Sequence, residues 1–344
     1  MRAAVALDGV LPCVRLPSSS CVRTRSSGES RLRRRALLLG ASAVGLSVPA
    51  HAQKLPRVGF LVSGEADPSW LPFRDAMSDL GYIEGRTVVF EYRDAGVNSG
   101  AIDALAQSLV EREPDVVVAV LSQAIVAARK ATQRIPIVFF GAAPEIGGIN
   151  NVARPAGNLT GVFSPSPIVA AKGLQLFTEI RRETRSFGLM LNTLDPFSVQ
   201  LRREVELSAE AQRIRLVPVP ISARSDLLAA FESAARAGVD GVMVQPSLGF
   251  ETTAELALRN RLAAVSFRRE FAVAGGLMAY GANQTENMRA VAAYVDRILK
   301  GARPADLPVQ QSSRFELVVN QRTARALGID VPPLFLARVD EVIE

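Results

Sequence analysis

Nine residues of this 344-residue chain fall at or just after the ends of short apolar runs: Ser63, Ser122, Gln123, Gly141, Ala142, Asn192, Asp195, Ser247 and Tyr280. Taken singly, each is an ordinary turn residue. As a set they offer hydroxyls, amides and free backbone N–H groups, which suit a carboxylate. Asp195 adds a group that could take an ammonium. Gly64 completes the turn begun by Ser63, and the helix start at Pro68-Ser69-Trp70 points further N–H groups at an anion. Trp70 and Tyr280 could supply apolar surface to a ligand or simply pack. This is the chemistry of binding rather than of bond making.

Other chemistries lack their parts. No GxGxxG follows a strand and no GxxxxGK[ST] occurs, so the phosphate cradles of dinucleotide and P-loop sites are missing. Ser63 has no nucleophile-elbow glycines around it. Both cysteines, Cys13 and Cys21, and the only histidine, His51, lie within the first 52 residues. If that segment is removed, disulfides, Cys/His metal sites, cysteine nucleophiles and Ser-His-Asp triads are all excluded. Carboxylate, lysine, tyrosine and serine chemistry remains open, and so do carboxylate-bound metals; no cofactor is expected. Arg268-Arg269-Glu270 reads either as a solvated surface pair or as a contact at a hinge or cleft.

The elements that must position these residues alternate between strand and helix. Arg57–Gly64 is a buried strand and turn. A helix starts at Asp67-Pro68-Ser69, with Asp67 as cap and Pro68 first inside, and closes at Gly81. Strands follow at Thr87–Tyr92, Asp115–Val120 and Ile135–Phe140. Between them lie a helix with Ile102, Leu105, Ala106, Leu109 and Val110 on one face and another over Ala124–Thr132. This spacing implies right-handed βαβ units and a parallel sheet. The rhythm breaks at Ile146–Gly161, rich in Gly, Asn and Pro, which reads as a crossing between domains.

A second series has strands at Ser186–Asn192, Leu216–Pro220, Gly241–Gln245 and Ala264–Phe267, then a strand and turn at Gly275–Gly281. Its helices run near Ile168–Ile180, Ser198–Gln212, Ser225–Ala237 and Ala254–Leu262. Asn283–Lys300 is a helix capped by Asn283 with Glu286 reaching back as a capping box, and Gly301 ends it. A strand at Phe315–Asn320 and a helix at Thr323–Leu327 follow. The expected fold class is α/β, with two doubly wound parallel-sheet lobes joined by hinge crossings. Lobe 1 is assigned 53–161 plus 281–311, and lobe 2 is assigned 162–280 plus 312–344. In such sheets ligands bind at the carboxyl ends of the strands, so turns from both lobes should face one cleft.

The first 52 residues read as a leader. Arg33-Arg34-Arg35 precedes the apolar run Ala36–Val48, and Pro49-Ala50-His51-Ala52 supplies an A-x-A cleavage site. The run is too short to span a bilayer. Its pattern fits secretion by either the general or the twin-arginine route, which places the mature protein in the periplasm. The chain carries 40 Lys and Arg against 34 Asp and Glu. Eight arginines against Asp8 and Glu29 lie in the leader, which leaves the body formally neutral. A nucleic-acid partner would require a basic patch on the body, and none is expected.

From Pro56 onward the chain resembles the ABC-transporter substrate-binding family that includes tryptophan and aromatic amino-acid binders. The matching segments include Phe73–Ala76, Leu80–Arg86, Ile135–Val138, Arg154–Val162, Arg269–Phe271, Gly275–Gly281, Ile298–Gln311, Phe315–Asn320 and Ala337–Glu344. The resemblance implies a type 1 periplasmic-binding fold, capture of a small molecule, delivery to an ABC permease and no catalysis. Two turns depart from the family pattern. Leu121-Ser122-Gln123 replaces a small Gly/Thr-rich turn, and Ala143-Pro144 stands where Asp-Pro is common. Both border the expected cleft, so the ligand is left as a small molecule, with an amino acid or an aromatic or carboxylate compound in view. Two other functions use the same chain: a ligand-sensing module for a receptor kinase, or an exported α/β enzyme working through carboxylates such as Asp195 or Glu270.

Overall fold

The computed structural model describes residues 54–63, 68–96, 99–141, 148–149, 151–155 and 157–344. The leader, Gly64, Asp67 and Ala142 lie outside the described residues. The chain first lays down β1 (Arg57–Val62), α1 (Trp70–Asp79), β2 (Val89–Asp94), α2 (Ile102–Val110), β3 (Val116–Val120), α3 (Ser122–Ala131), β4 (Ile137–Gly141) and β5 (Leu159–Phe163). It then crosses into α4 (Ser166–Ile180), β6 (Ser186–Asn192), α5 (Phe197–Ala211), β7 (Arg215–Ile221), α6 (Leu227–Arg236), β8 (Gly241–Val244), α7 (Glu251–Arg259), β9 (Ala264–Ser266), α8 (Arg269–Val273) and β10 (Met278–Ala282). After α9 (Gln284–Leu299) come β11 (Gln310–Gln311), β12 (Phe315–Asn320), α10 (Gln321–Leu327), α11 (Pro333–Leu336) and β13 (Glu341–Ile343).

Two sheets result. The first has the order β11-β5-β4-β3-β1-β2, the second β13-β12-β10-β9-β8-β6-β7. All pairs are parallel except β10 with β12. The continuous apolar runs are explained by burial of both faces. In β3, Val116, Val118 and Val120 join the core under α1 and α9, while Val117 and Ala119 face α2 and α3. The second sheet repeats this: Phe187, Leu189 and Leu191 of β6 pack under α4 and α5, and Met190 turns to the α6 and α7 side.

Each sheet reverses its winding once. In the first, β1 lies between β2 and β3; in the second, β6 lies between β7 and β8. At such a switch point the loops leaving adjacent strands diverge to opposite faces, which opens a crevice at the carboxyl edge. The chain passes between sheets after Phe163, after Ala282, and again between Gln311 and Phe315. Among the described residues no helix is long and apolar enough to cross a membrane.

Several expectations need correction. Leu159–Gly161 is not part of a crossing: it opens β5, in register with Ile137–Phe139. Gly161 explains both the strand and its disguise. A Cβ there would sit 2.2 Å from the Phe139 carbonyl oxygen, so the close strand pairing demands glycine. Pro68 precedes α1 rather than opening it, and Ser69 holds the cap position without capping, its hydroxyl being engaged elsewhere. Asn283 does cap α9, accepting from the Glu286 N–H at 2.9 Å. Glu286 does not reach back, because its carboxylate meets Arg314 at 3.0 Å and the Asn283 N–H donates to the Arg314 carbonyl. The short elements α8, α11, β11 and β13 carry too few residues to show a period.

Candidate ligand-binding cleft

The cleft opens at the carboxyl ends of β3, β4 and β5 in one sheet and of β6, β8, β9 and β10 in the other. Below it, β6 ends at Asn192 and the chain turns through Asp195 into α5. The Asp195 side chain lies at this helix start, its Oδ1 accepting the Phe197 N–H at 3.0 Å. Its Oδ2 accepts from Gln245 Nε2 at 2.8 Å. Gln245, just past β8, has its amide direction fixed from behind. Its Oε1 accepts the Asn192 N–H at 2.9 Å and lies 2.8 Å from Ser198 Oγ, so the NH2 must face Asp195.

Asp195 is only 6% exposed and has no ion-pair partner among the described residues. Burial raises its carboxyl above the ordinary carboxylate range, while the bonds from Phe197, Ser247 and Gln245 pull the other way. The start of α5 also favours negative charge there. The result is a positioned acceptor that lacks a cation.

Asp195 opens into a cavity with about 510 Å3 of empty space, its mouth included. The first sheet contributes Leu121, Ser122, Phe140 and Gly141, and the crossing after β5 adds Ser164 and Ser166. The second sheet contributes Gln245 and Ser247, a cation, Arg268, and the rings of Phe197 and Phe267, which meet edge to face with centroids 5.8 Å apart. Polar groups thus converge on a pocket with apolar walls, the usual make-up of a small-molecule site.

Arg268 is 6% exposed, so of its two readings the structure gives the cleft contact. Its Nε lies 3.4 Å from Glu270 Oε2. Its Nη2 lies 3.5 Å from Ser69 Oγ, a long contact that spans from the second sheet to the start of α1. The same Ser69 hydroxyl accepts from Gln284 Nε2 at the start of α9. Arg269 points elsewhere, gripping Glu341 through two bonds of 2.6 and 2.7 Å.

Of the residues singled out from the sequence, Ser122, Gly141, Asp195 and Ser247 come together on this cavity. Asn192 sits one layer behind, its Nδ2 3.4 Å from Ser247 Oγ. Gln123 lines a separate chamber at the rim. Ser63 is buried at the end of β1 with its hydroxyl unpartnered. Trp70 and Tyr280 are not brought to the cavity wall. Trp70 packs among Phe60, Phe73, Phe90 and Tyr92, and Tyr280 lies against Phe315. Gly64 and Ala142 lie outside the described residues.

Ser164 and Ser166 escape a sequence reading in which Leu159–Gly161 belongs to a crossing; a strand ending at Phe163 exposes them. Gln245 reads as the last strand residue, and Phe197 and Phe267 carry no signal that separates them from core.

Two mostly parallel sheets with their carboxyl edges turned to a shared cavity define the type 1 periplasmic-binding fold. The family model described as ABC transporter substrate binding protein matches residues 62–343, and the chain belongs to that family. A tyrosine-binding protein from Clostridioides difficile is 22% identical over 264 residues, covering 75% of each chain. A conserved domain protein from Vibrio cholerae superposes with a TM-score of 0.77 at 26% identity, over 84% of this chain and 100% of the other. A Streptococcus pneumonia domain in complex with L-Trp gives a TM-score of 0.77 at 21% identity, over 84% and 100%.

Proposed function

We propose that this protein is an exported solute receptor. It captures a zwitterionic small molecule of the amino-acid type between its two lobes and hands it to an ABC permease. One observation carries this reading. A buried carboxylate without a cation, Asp195, and a buried guanidinium, Arg268, share one small cavity. An ammonium would satisfy the first, and a carboxylate would draw on the second together with the serine hydroxyls and the α3 amides. The tyrosine-binding relative and the L-Trp-bound neighbour support an amino acid as the class. The leader supports export to the periplasm, and family membership supports the permease as partner. The three crossings suit hinge closure of lobes bounded near Phe163 and Ala282.

The test is a thermal-shift and calorimetric screen of the protein lacking residues 1–52 against single amino acids, sugars and nucleosides. A true ligand at 100 times its dissociation constant adds about 2.7 kcal/mol of stability. A response to sugars or nucleosides with none to any amino acid would overturn the zwitterion reading.

A further inference from the structure

The backbone at Leu121 sets one part of the cavity wall apart. Its φ of 70° and ψ of 158° lie in a region that only glycine enters without cost. Three other non-glycine residues among the described ones have positive φ: Glu113, Arg213 and Arg261, at 50°, 58° and 54°. Those three are exposed and lie just past the ends of α2, α5 and α7, where a left-handed residue is a common way to stop a helix. Leu121 instead precedes a helix. It is half-buried and lines the cavity that holds Asp195 and Arg268.

The cause of the strain is local. The Leu121 N–H donates to the Phe140 carbonyl at 2.9 Å, which keeps the residue on the ladder between β3 and β4. Its own carbonyl accepts the Ile125 N–H at 3.1 Å, the first bond of α3. One residue therefore makes the whole turn from strand to helix. Glycine would make it freely, and a Ser, Thr, Asn or Asp side chain there would cap the helix. Leucine does neither, and α3 has no side-chain cap bond. Local rules broken in this way are expected at functional positions. What leucine brings is apolar volume. Its side chain packs against the first-sheet core, to which Phe140 belongs, and Phe140, Phe197 and Phe267 make the aromatic part of the cavity wall.

We propose that Leu121 is a specificity-determining residue that sets the upper size of the ligand's side chain. It fills, from the first lobe, apolar space that a glycine would leave to the ligand. The ammonium and carboxylate of the ligand stay with Asp195 and Arg268. This rests on the amino-acid reading of the cavity and specifies how large a side chain that cavity admits.

The test titrates L-alanine, L-leucine, L-phenylalanine and L-tryptophan calorimetrically into the protein lacking residues 1–52 and into its Leu121→Ala and Leu121→Gly variants. The affinity ratio of L-tryptophan to L-leucine should rise about tenfold or more in both variants, because removing the leucine side chain enlarges the pocket there. A purely structural residue would weaken all four ligands alike and leave the ratio where it was. The melting temperatures of the empty variants read the backbone separately. Leu121→Gly should melt above Leu121→Ala, the reverse of the usual order, because alanine keeps a Cβ in the strained conformation and glycine does not. An unchanged ratio, or an equal loss of all four ligands, would overturn the size limit while leaving the amino-acid reading standing. A glycine variant that melts below the alanine variant would remove the strain that singles Leu121 out. Failure of all four probes in all three proteins would overturn the size limit and the amino-acid reading together.

Discussion

Replacing Asp195 by Asn changes the candidate cleft at one atom pair and keeps its shape. The wild-type carboxylate is held by Phe197 N–H at 3.0 Å and Gln245 Nε2 at 2.8 Å, and it makes no ion pair among the described residues. An incoming ammonium would therefore form a charge-assisted hydrogen bond worth about 1.5–3 kcal/mol, which is roughly 13- to 160-fold in affinity. Asp195→Asn should lose that much, read by isothermal titration with whichever amine-bearing ligand the screen returns. The Asn NH2 would face either the Phe197 N–H or the fixed Gln245 NH2, donor against donor, so the empty variant should melt somewhat lower, the loss being offset in part because a buried charge no longer has to be desolvated. Unchanged affinity would remove the ammonium from it altogether.

The same carboxyl sets a pH dependence. Burial raises its native pKa above the unfolded value, so its contribution to stability of the empty protein is present below the unfolded pKa and is lost as pH rises through the native one. Ammonium binding needs the ionised form, so affinity should rise with pH across that interval; a flat calorimetric profile there would contradict the assignment. Ser69→Ala removes the acceptor of the buried Gln284 Nε2 and the contact to Arg268, and should lower stability by about 1–3 kcal/mol in chemical denaturation. Gly281→Ala would place a Cβ 1.9 Å from the Phe267 carbonyl oxygen, displacing β10 beneath the cavity; the expected loss exceeds the ~1–3 kcal/mol of ordinary overpacking, and normal solubility and melting would refute it. Trp70 is the sole tryptophan and packs outside the cavity, so Trp70→Phe should retain ligand affinity within about twofold while weakening the aromatic cluster.

Much of the fold was legible because burial leaves a local mark. The runs Ser186–Asn192 and Phe315–Asn320 follow from continuous apolar stretches, and the face of α2 from a period of 3.6, which need no knowledge of neighbours. β5 escaped because the glycine that permits its close pairing also breaks its apolar pattern. The cavity was half legible. Ser122, Gly141, Asp195 and Ser247 were found because they sit where strands end. Trp70 opens α1 and Tyr280 lies within β10, and both face packed aromatic neighbours instead.

The sequence by itself determined the alternating α/β architecture, the neutral body, and a body without cysteine or histidine. These follow from composition and from patterns within a few residues. Only the tertiary structure decided which turns meet. β1 lies between β2 and β3, and β6 between β7 and β8, through contacts far apart in the chain, and those reversals open the crevices. They also decided that Arg268 is buried on the cavity that Asp195 lines while Arg269 is spent on Glu341. Neighbouring arginines have identical chemistry, and only the direction each one leaves the chain separates a cleft cation from a surface brace.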